Sequence, residues 1–109
     1  MPRRSAGLLL VAYLHGEPVG CGALIFSPND VGLVKRMWVA PAVRGLGLGR
    51  RLLVELEDSG RSHGVRLMRL ETKDVLTEAL HMYRSSGYRE VAPFNDEPYA
   101  DHWFEKSLA

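Results

Sequence analysis

Between Arg44 and Arg50 the chain reads Arg-Gly-Leu-Gly-Leu-Gly-Arg, and a helical pattern follows at once. Backbone N–H groups at a helix N-terminus have no intrahelical acceptor and carry partial positive charge, so they bind anions. Gly45, Gly47 and Gly49 remove side chains that would block a phosphate oxygen and permit positive φ. Arg44 adds a cation at the mouth and Arg50 another in the first helical turn, so the ligand implied is a pyrophosphate or a similar polyanion. Two phosphate-binding spacings fail. A P-loop requires Gly-Lys followed by Ser or Thr, which does not occur; the dinucleotide fingerprint is G-x-G-x-x-G, whereas this loop is G-x-G-x-G. A plain strand-to-helix junction would need neither Arg44 nor Arg50-Arg51.

The elements that must position this loop are legible from the apolar periodicity. Leu8–Leu14 and Val19–Phe26 read as a hairpin about a turn containing Gly16 and Pro18. A second turn at residues 27–30 leads into Val31–Val39, where alternation puts Val31, Leu33, Lys35, Met37 and Val39 on one face. Three antiparallel strands thus precede the loop. After it, Leu48, Leu52, Leu53 and Leu56 recur at helical spacing, with Arg51–Glu55 and Glu57–Arg61 as possible ion pairs and a stop near Gly64. Arg66–Thr72 reads as a strand. Asp74 is a candidate N-cap for a second helix carrying Leu76, Ala79, Leu80 and Tyr83 on one face and ending at Gly87. Tyr88–Val91 and His102–Lys106 read as the last strands. The order β-β-β-α-β-α-β-β predicts one α/β domain over residues 1–109 with a mixed sheet, because the unit around the glycines forces a parallel pairing.

Composition narrows the partners. A net charge of +1 argues against a dedicated nucleic-acid binder. A single cysteine, Cys21, rules out an internal disulfide and suits a cytoplasmic protein. His15, His63, His81 and His102 show no ligand spacing, so no metal is expected. Arg3-Arg4 before Leu8–Leu14 invites a signal-peptide reading, but no Ala-x-Ala cleavage site follows, and a first buried strand is the expectation. No run approaches the roughly 18 apolar residues of a membrane helix.

With these residues in place the sequence resembles the GCN5-related N-acetyltransferases (GNAT). Their acyl-CoA loop is Arg/Gln-x-x-Gly-x-Gly/Ala after a strand ending in Val-x-Pro; here Val39-x-Pro41 precedes Arg44-Gly45-Leu46-Gly47-Leu48-Gly49. Ala79-Leu80-His81-Met82-Tyr83-Arg84-Ser85-Ser86-Gly87-Tyr88 is similar to the family's second segment, with Met82 for the usual Leu. The likeness covers about residues 8–107. It implies an acyl-CoA N-acyltransferase fold, shortened at its start by a strand and two helices, with acetyl-CoA as acyl donor. The pyrophosphate would rest on the 44–49 amides and on Arg50, and the pantetheine arm along Met37, Trp38 and Val39. A primary amine, small or amino-acid-like, would attack the thioester directly. By resemblance Tyr83 is the general acid for the departing thiolate; its plainer role is packing the helix onto the sheet.

Departures from the family are also visible. Leu33 stands near the Glu that many relatives use as general base, and Leu76 where many carry Asn. Glu71, Asp74, Asp96, Glu97, His81 and His102 are the alternatives for the base, or a water chain. Asp96, Glu97, Tyr99 and Trp103 could wall a site for a cationic amine. An uncovered sheet predicts a homodimer. The competing function is a non-catalytic acyl-CoA-binding module; a nucleotide-phosphate protein is the third.

Overall fold

The computed structural model describes residues 6–109, so Arg3 and Arg4 lie outside the described residues. The elements follow the expected order: β1 Gly7–Leu14, β2 Glu17–Ser27, β3 Val31–Val39, a short 3-10 turn Pro41–Val43, α1 Leu48–Ser62, β4 Leu67–Thr72, α2 Thr77–Ser85, β5 Arg89–Val91 and β6 His102–Ser107. They form one six-stranded sheet in the order β1-β2-β3-β4-β6-β5, in which only the β3–β4 contact is parallel. His15-Gly16 and Asn29-Asp30 turn the first two hairpins with positive φ at all four residues, the geometry that matches the twist of paired strands. Pro18 lies inside β2 rather than in the turn, where the ladder slips opposite Tyr13.

Leu53 and Leu56 of α1 and Leu80 and Tyr83 of α2 meet Leu24, Val34, Met68, Leu70 and Phe104 from the strands in one buried cluster. Leu53, Leu56 and Phe104 are fully enclosed, each stabilising the fold by roughly 1.5–3 kcal/mol through removal from water. Both helices therefore cover the same sheet face. Leu9, Val11, Tyr13 and Ile25 alternate onto the other face and stay exposed. Gly64 and Gly87 end the helices at positive φ. The Val65 N–H returns to the Gly60 carbonyl (2.8 Å) and that of Tyr88 to Tyr83 (3.1 Å), satisfying carbonyls that the last helical turn leaves open.

Three local expectations change. Asp74 does not cap α2: the helix starts at Thr77 with Leu76 at the N-cap and no side-chain cap, because Asp74 is held instead by His102. Leu76 is accordingly exposed rather than part of the buried stripe. In α1, Arg61 pairs with Asp58 rather than Glu57 (3.0 Å), and no Arg51–Glu55 pair forms among the described residues.

Glu57 has turned inward and is 4% exposed. The Tyr88 hydroxyl donates to one of its oxygens (2.8 Å), and Lys106 Nζ donates to both (3.1 and 3.2 Å). Burial and then the Glu57 charge push the Tyr88 phenol far above its ordinary value, so its proton stays in place. This triad ties α1 to β6 and to the segment after α2. A buried carboxylate that loses one donor is penalised by more than the pair was worth. Lys106→Met should destabilise the protein by about 2 kcal/mol in urea unfolding, a value lowered for the partial exposure of Lys106. Adding Glu57→Gln should recover more than half of that loss; strict additivity of the two losses would contradict the triad.

Candidate functional site

β3 and β4 pair only from Val31 opposite Leu67 to Leu33 opposite Arg69, and then part. The cause lies in β3 itself. The β2–β3 register shifts between Cys21 and Ala23, so Arg36 and Met37 together face Gly22, and Arg36 sits at φ +55°. Such a bulge bends its strand and increases local twist. It also overturns the simple alternation expected for β3: Met37 and Val39 swing to the helix side with Val34. There Met37 Sδ fills the space a Gly22 side chain would take, and Val39 packs beside Gly49. Beyond the parting strands lies a cleft of about 1300 Å³. It is lined by Met37–Val39, the 43–50 loop, Glu71, Tyr83 and Tyr99.

The glycine loop occupies one end of the cleft. Gly45 and Gly47 both have φ +82°, and nothing lies within 4 Å of the position a side chain would occupy at either. Gly47 is the N-cap of α1. The first intrahelical bond is donated by the Arg51 N–H to the Gly47 carbonyl (3.1 Å), so the amides of Leu48, Gly49 and Arg50 precede the ladder. Gly49 has a different task from the other two: a side chain there would press on Met82 Sδ at 3.1 Å, so its absence lets α1 and α2 approach. Leu48 turns its side chain onto Gly20 of β2, while Leu46 is 77% exposed on the rim.

The two arginines are anchored. Arg44 Nε donates to the Val39 carbonyl (3.1 Å), and its own amide leans on Pro41 (3.4 Å). Arg50 donates to Ser86 Oγ (3.0 Å) and Ser85 Oγ (2.6 Å), bolting the loop to the end of α2. Tyr83 projects from that helix between Tyr88 and Phe104, with ring centroids 6.0 and 6.2 Å away. Burial raises its hydroxyl to about 12, so it holds its proton throughout the neutral range. The acid-or-packing alternatives for Tyr83 are thus compatible in one residue, buried and yet on the cleft wall.

Of the residues expected to wall an acceptor, Glu97 and Tyr99 line the cleft, and Lys73 stands 5.3 Å over the Tyr99 ring. Trp103 is placed elsewhere, donating from Nε1 to Asn95 (2.9 Å). His102 joins a cluster that the sequence did not suggest: Nε2 to Asp74 Oδ1 (2.8 Å) and Nδ1 to Glu90 Oε2 (2.6 Å), with Arg84 also donating to Glu90 (3.1 Å). Its two partners come from separate stretches of chain, and no spacing rule could have joined them. No helix among the described residues is long and apolar enough to cross a membrane.

Residues 2–88 match the family model described as the acetyltransferase (GNAT) family. The IAA acetyltransferase of Azospirillum brasilense is 42% identical over 91 residues, which is 83% of this chain and 58% of that protein. The chain spans little more than half the length of the curated relatives it matches. An acetyltransferase of the GNAT family from Staphylococcus aureus Mu50 superposes with a TM-score of 0.88 at 24% identity, covering 96% of this chain and 70% of that one. A GNAT acetyltransferase from Elizabethkingia anophelis with acetyl-CoA bound superposes at 0.81 and 18% identity, over 94% and 77% of the two chains. These two likenesses establish the fold.

The His102 cluster, beside the cleft rather than in it, gives the fold's stability a pH signature. The Asp74 and Glu90 hydrogen bonds raise the His102 pKa from 6.5, so its stabilisation is complete below 6.5 and is lost as pH rises through the folded value. His102 and Arg84 lower the Glu90 pKa from 4.5, so that contribution is present above 4.5 and is lost as pH falls through the folded value. Together they place the cluster's greatest effect between about 4.5 and 6.5. Thermal unfolding should show His102→Gln well below wild type at pH near 5.5 and close to it at pH near 9; an equal gap at both would exclude the ion cluster.

Proposed function

The chain belongs to the acetyltransferase (GNAT) family, and on that premise we propose that it transfers an acetyl group from acetyl-CoA to a primary amine by direct attack in a ternary complex. The observation that carries the reading is the loop at the cleft's end: two glycines at positive φ with open space around them, ahead of three helix amides not yet in the ladder. That donor set fits a pyrophosphate. The cleft then leads from the loop along the edge of β3 that β4 has released.

Each residue has a task in this reading. Gly45, Gly47 and the amides of residues 48–50 hold the pyrophosphate, with Leu46 on the rim and Arg44 adding charge at the mouth. Arg50 acts through the Ser85 and Ser86 hydroxyls by fixing the loop against α2. Met37, Trp38 and Val39 offer strand backbone to the pantetheine amides, and a strand N–H there stabilises charge developing on the acyl oxygen. Acetyl-CoA supplies the activated thioester. Tyr83 hands its proton, or a strong hydrogen bond, to the departing sulfur. The acceptor in this reading is a small or amino-acid-like amine, for which Glu78 and Glu97 offer carboxylates on a cleft wall that Lys35, Arg36 and Lys73 also line.

Leu46→Glu tests the loop without backbone strain. A carboxylate about 6 Å from the pyrophosphate at an effective dielectric of about 40 costs roughly 1.4 kcal/mol, or tenfold in Kd. Calorimetric titration of acetyl-CoA should show that rise with the unfolding temperature unchanged; unaltered affinity would remove the loop from the binding site. Tyr83→Phe keeps the ring contacts and removes the proton. It should lower kcat for thiol release by about 100-fold and leave the acetyl-CoA Kd as it was; an unchanged kcat would leave Tyr83 with packing alone.

A further inference from the structure

Three large apolar side chains stay open to water along the cleft wall: Val75 is 78% exposed, Leu76 49% and Tyr99 69%. Scattered exposed apolar residues are ordinary, but these come from two separate segments and line one cavity. The segments are tied together. The Asp74 N–H donates to Asp101 Oδ2 (2.9 Å), the Asp101 N–H donates to the Thr72 carbonyl (2.9 Å), and Lys73 Nζ lies 5.3 Å over the Tyr99 ring. The wall is thus built before anything binds to it. Leu76 stands at the N-cap of α2 and makes no side-chain bond to the first turn. Ser, Thr, Asn or Asp at that place would satisfy an open helix amide, and leucine is among the poorest residues there. A half-exposed leucine at an N-cap gives the fold neither a cap nor core burial; what it does give is apolar surface facing the cleft.

We propose that Val75, Leu76 and Tyr99 form an apolar wall for the part of the acceptor that does not react, so that the acceptor is a primary amine carrying an aryl or branched alkyl group. The inference rests on the acetyltransferase reading above. Seating such a group against the three side chains removes apolar surface of both partners from water, and the Tyr99 ring adds stacked or edge contacts with an aryl group. A hydroxylated amine would gain neither, and it would turn its polar groups toward the aliphatic surface of Val75 and Leu76, which has no hydrogen bond to return. The wall takes no part in the chemistry. It sets which amine is held long enough to react.

Thiol release from acetyl-CoA is followed with 2-phenylethylamine and with ethanolamine, two primary amines of similar basicity, so that deprotonation weighs equally on both. Wild type should use 2-phenylethylamine with a kcat/KM at least about 30-fold higher. Leu76→Asn and Tyr99→Ser should each lower that value about tenfold, mostly through KM. Ethanolamine should change by less than about twofold, and the acetyl-CoA Kd should stay as it was. Leu76→Met should keep the preference. Leu76→Asn should unfold at no lower a temperature than wild type, which separates a substrate contact from a packing defect. Wild type without a preference for 2-phenylethylamine, or variants that lose both amines equally, overturn the apolar wall and leave the acetyltransferase reading intact. Wild type that binds acetyl-CoA yet releases thiol with neither amine overturns both together.

Discussion

The site depends on one geometrical constraint: β3 must pair with β4 for three residues and then let go. Continued pairing would close the cleft and use up the strand edge at Met37–Val39. The release is built into β3 itself, through the bulge opposite Gly22 that places Arg36 at φ +55°. A non-glycine residue in that conformation costs on the order of 1–3 kcal/mol, and it persists because its neighbours leave it no alternative. Gly22 has no side chain, so Met37 can fold over it beneath Leu56, and the Cys21 thiol donates to the Arg36 carbonyl (3.2 Å). Cleft geometry and core packing are thus set by the same few residues.

The loop at the other end is rigid for related reasons. Gly49 admits Met82, so α1 and α2 touch where the loop begins, and Arg50 adds two hydroxyl bonds across the same contact. Further along α1 the Glu57–Tyr88–Lys106 triad repeats the connection from inside the core. An anion cradle made of backbone amides gains most when its donors need not reorganise on binding. These links would supply that condition for the proposed pyrophosphate site, with no side chain within 4 Å of the open positions at Gly45 and Gly47.

Much of this was legible in the sequence and some was not, for physical reasons. Element order, the parallel pairing and the helix ends at Gly64 and Gly87 follow from periodicity and glycine chemistry, which are local. The loop's conformation was legible because positive φ ahead of a helix calls for glycine. The face assignment of Met37 and Val39 failed because a bulge shifts register without leaving a residue type that announces it; Arg36 is an unremarkable arginine until its φ is known. Asp74 looked like a cap because Asp before an apolar stripe usually is one, but a histidine 28 residues away competes for its carboxylate. Glu57 read as a surface partner of Arg61 for the same reason: charge patterning along a helix does not reveal which charge faces the core.

Tyr83 on the cleft wall also constrains the order of events in the proposed reaction. Tyr83 at about 12 is a weaker acid than a free thiol of pKa near 8.5 by about 3.5 units, close to 5 kcal/mol at 1.36 kcal/mol per unit. Complete transfer from Tyr83 to sulfur, leaving a bare phenolate among Tyr88, Phe104 and Leu80, is therefore unfavourable. The step becomes feasible when the hydroxyl regains a proton as it gives one up, and the nitrogen turns strongly acidic once its lone pair is committed to carbon. Thiolate departure is thus coupled to the second deprotonation of nitrogen, while the first must precede attack and needs a base of its own. A buried phenol that gives up one proton only as it regains another suits that coupled transfer.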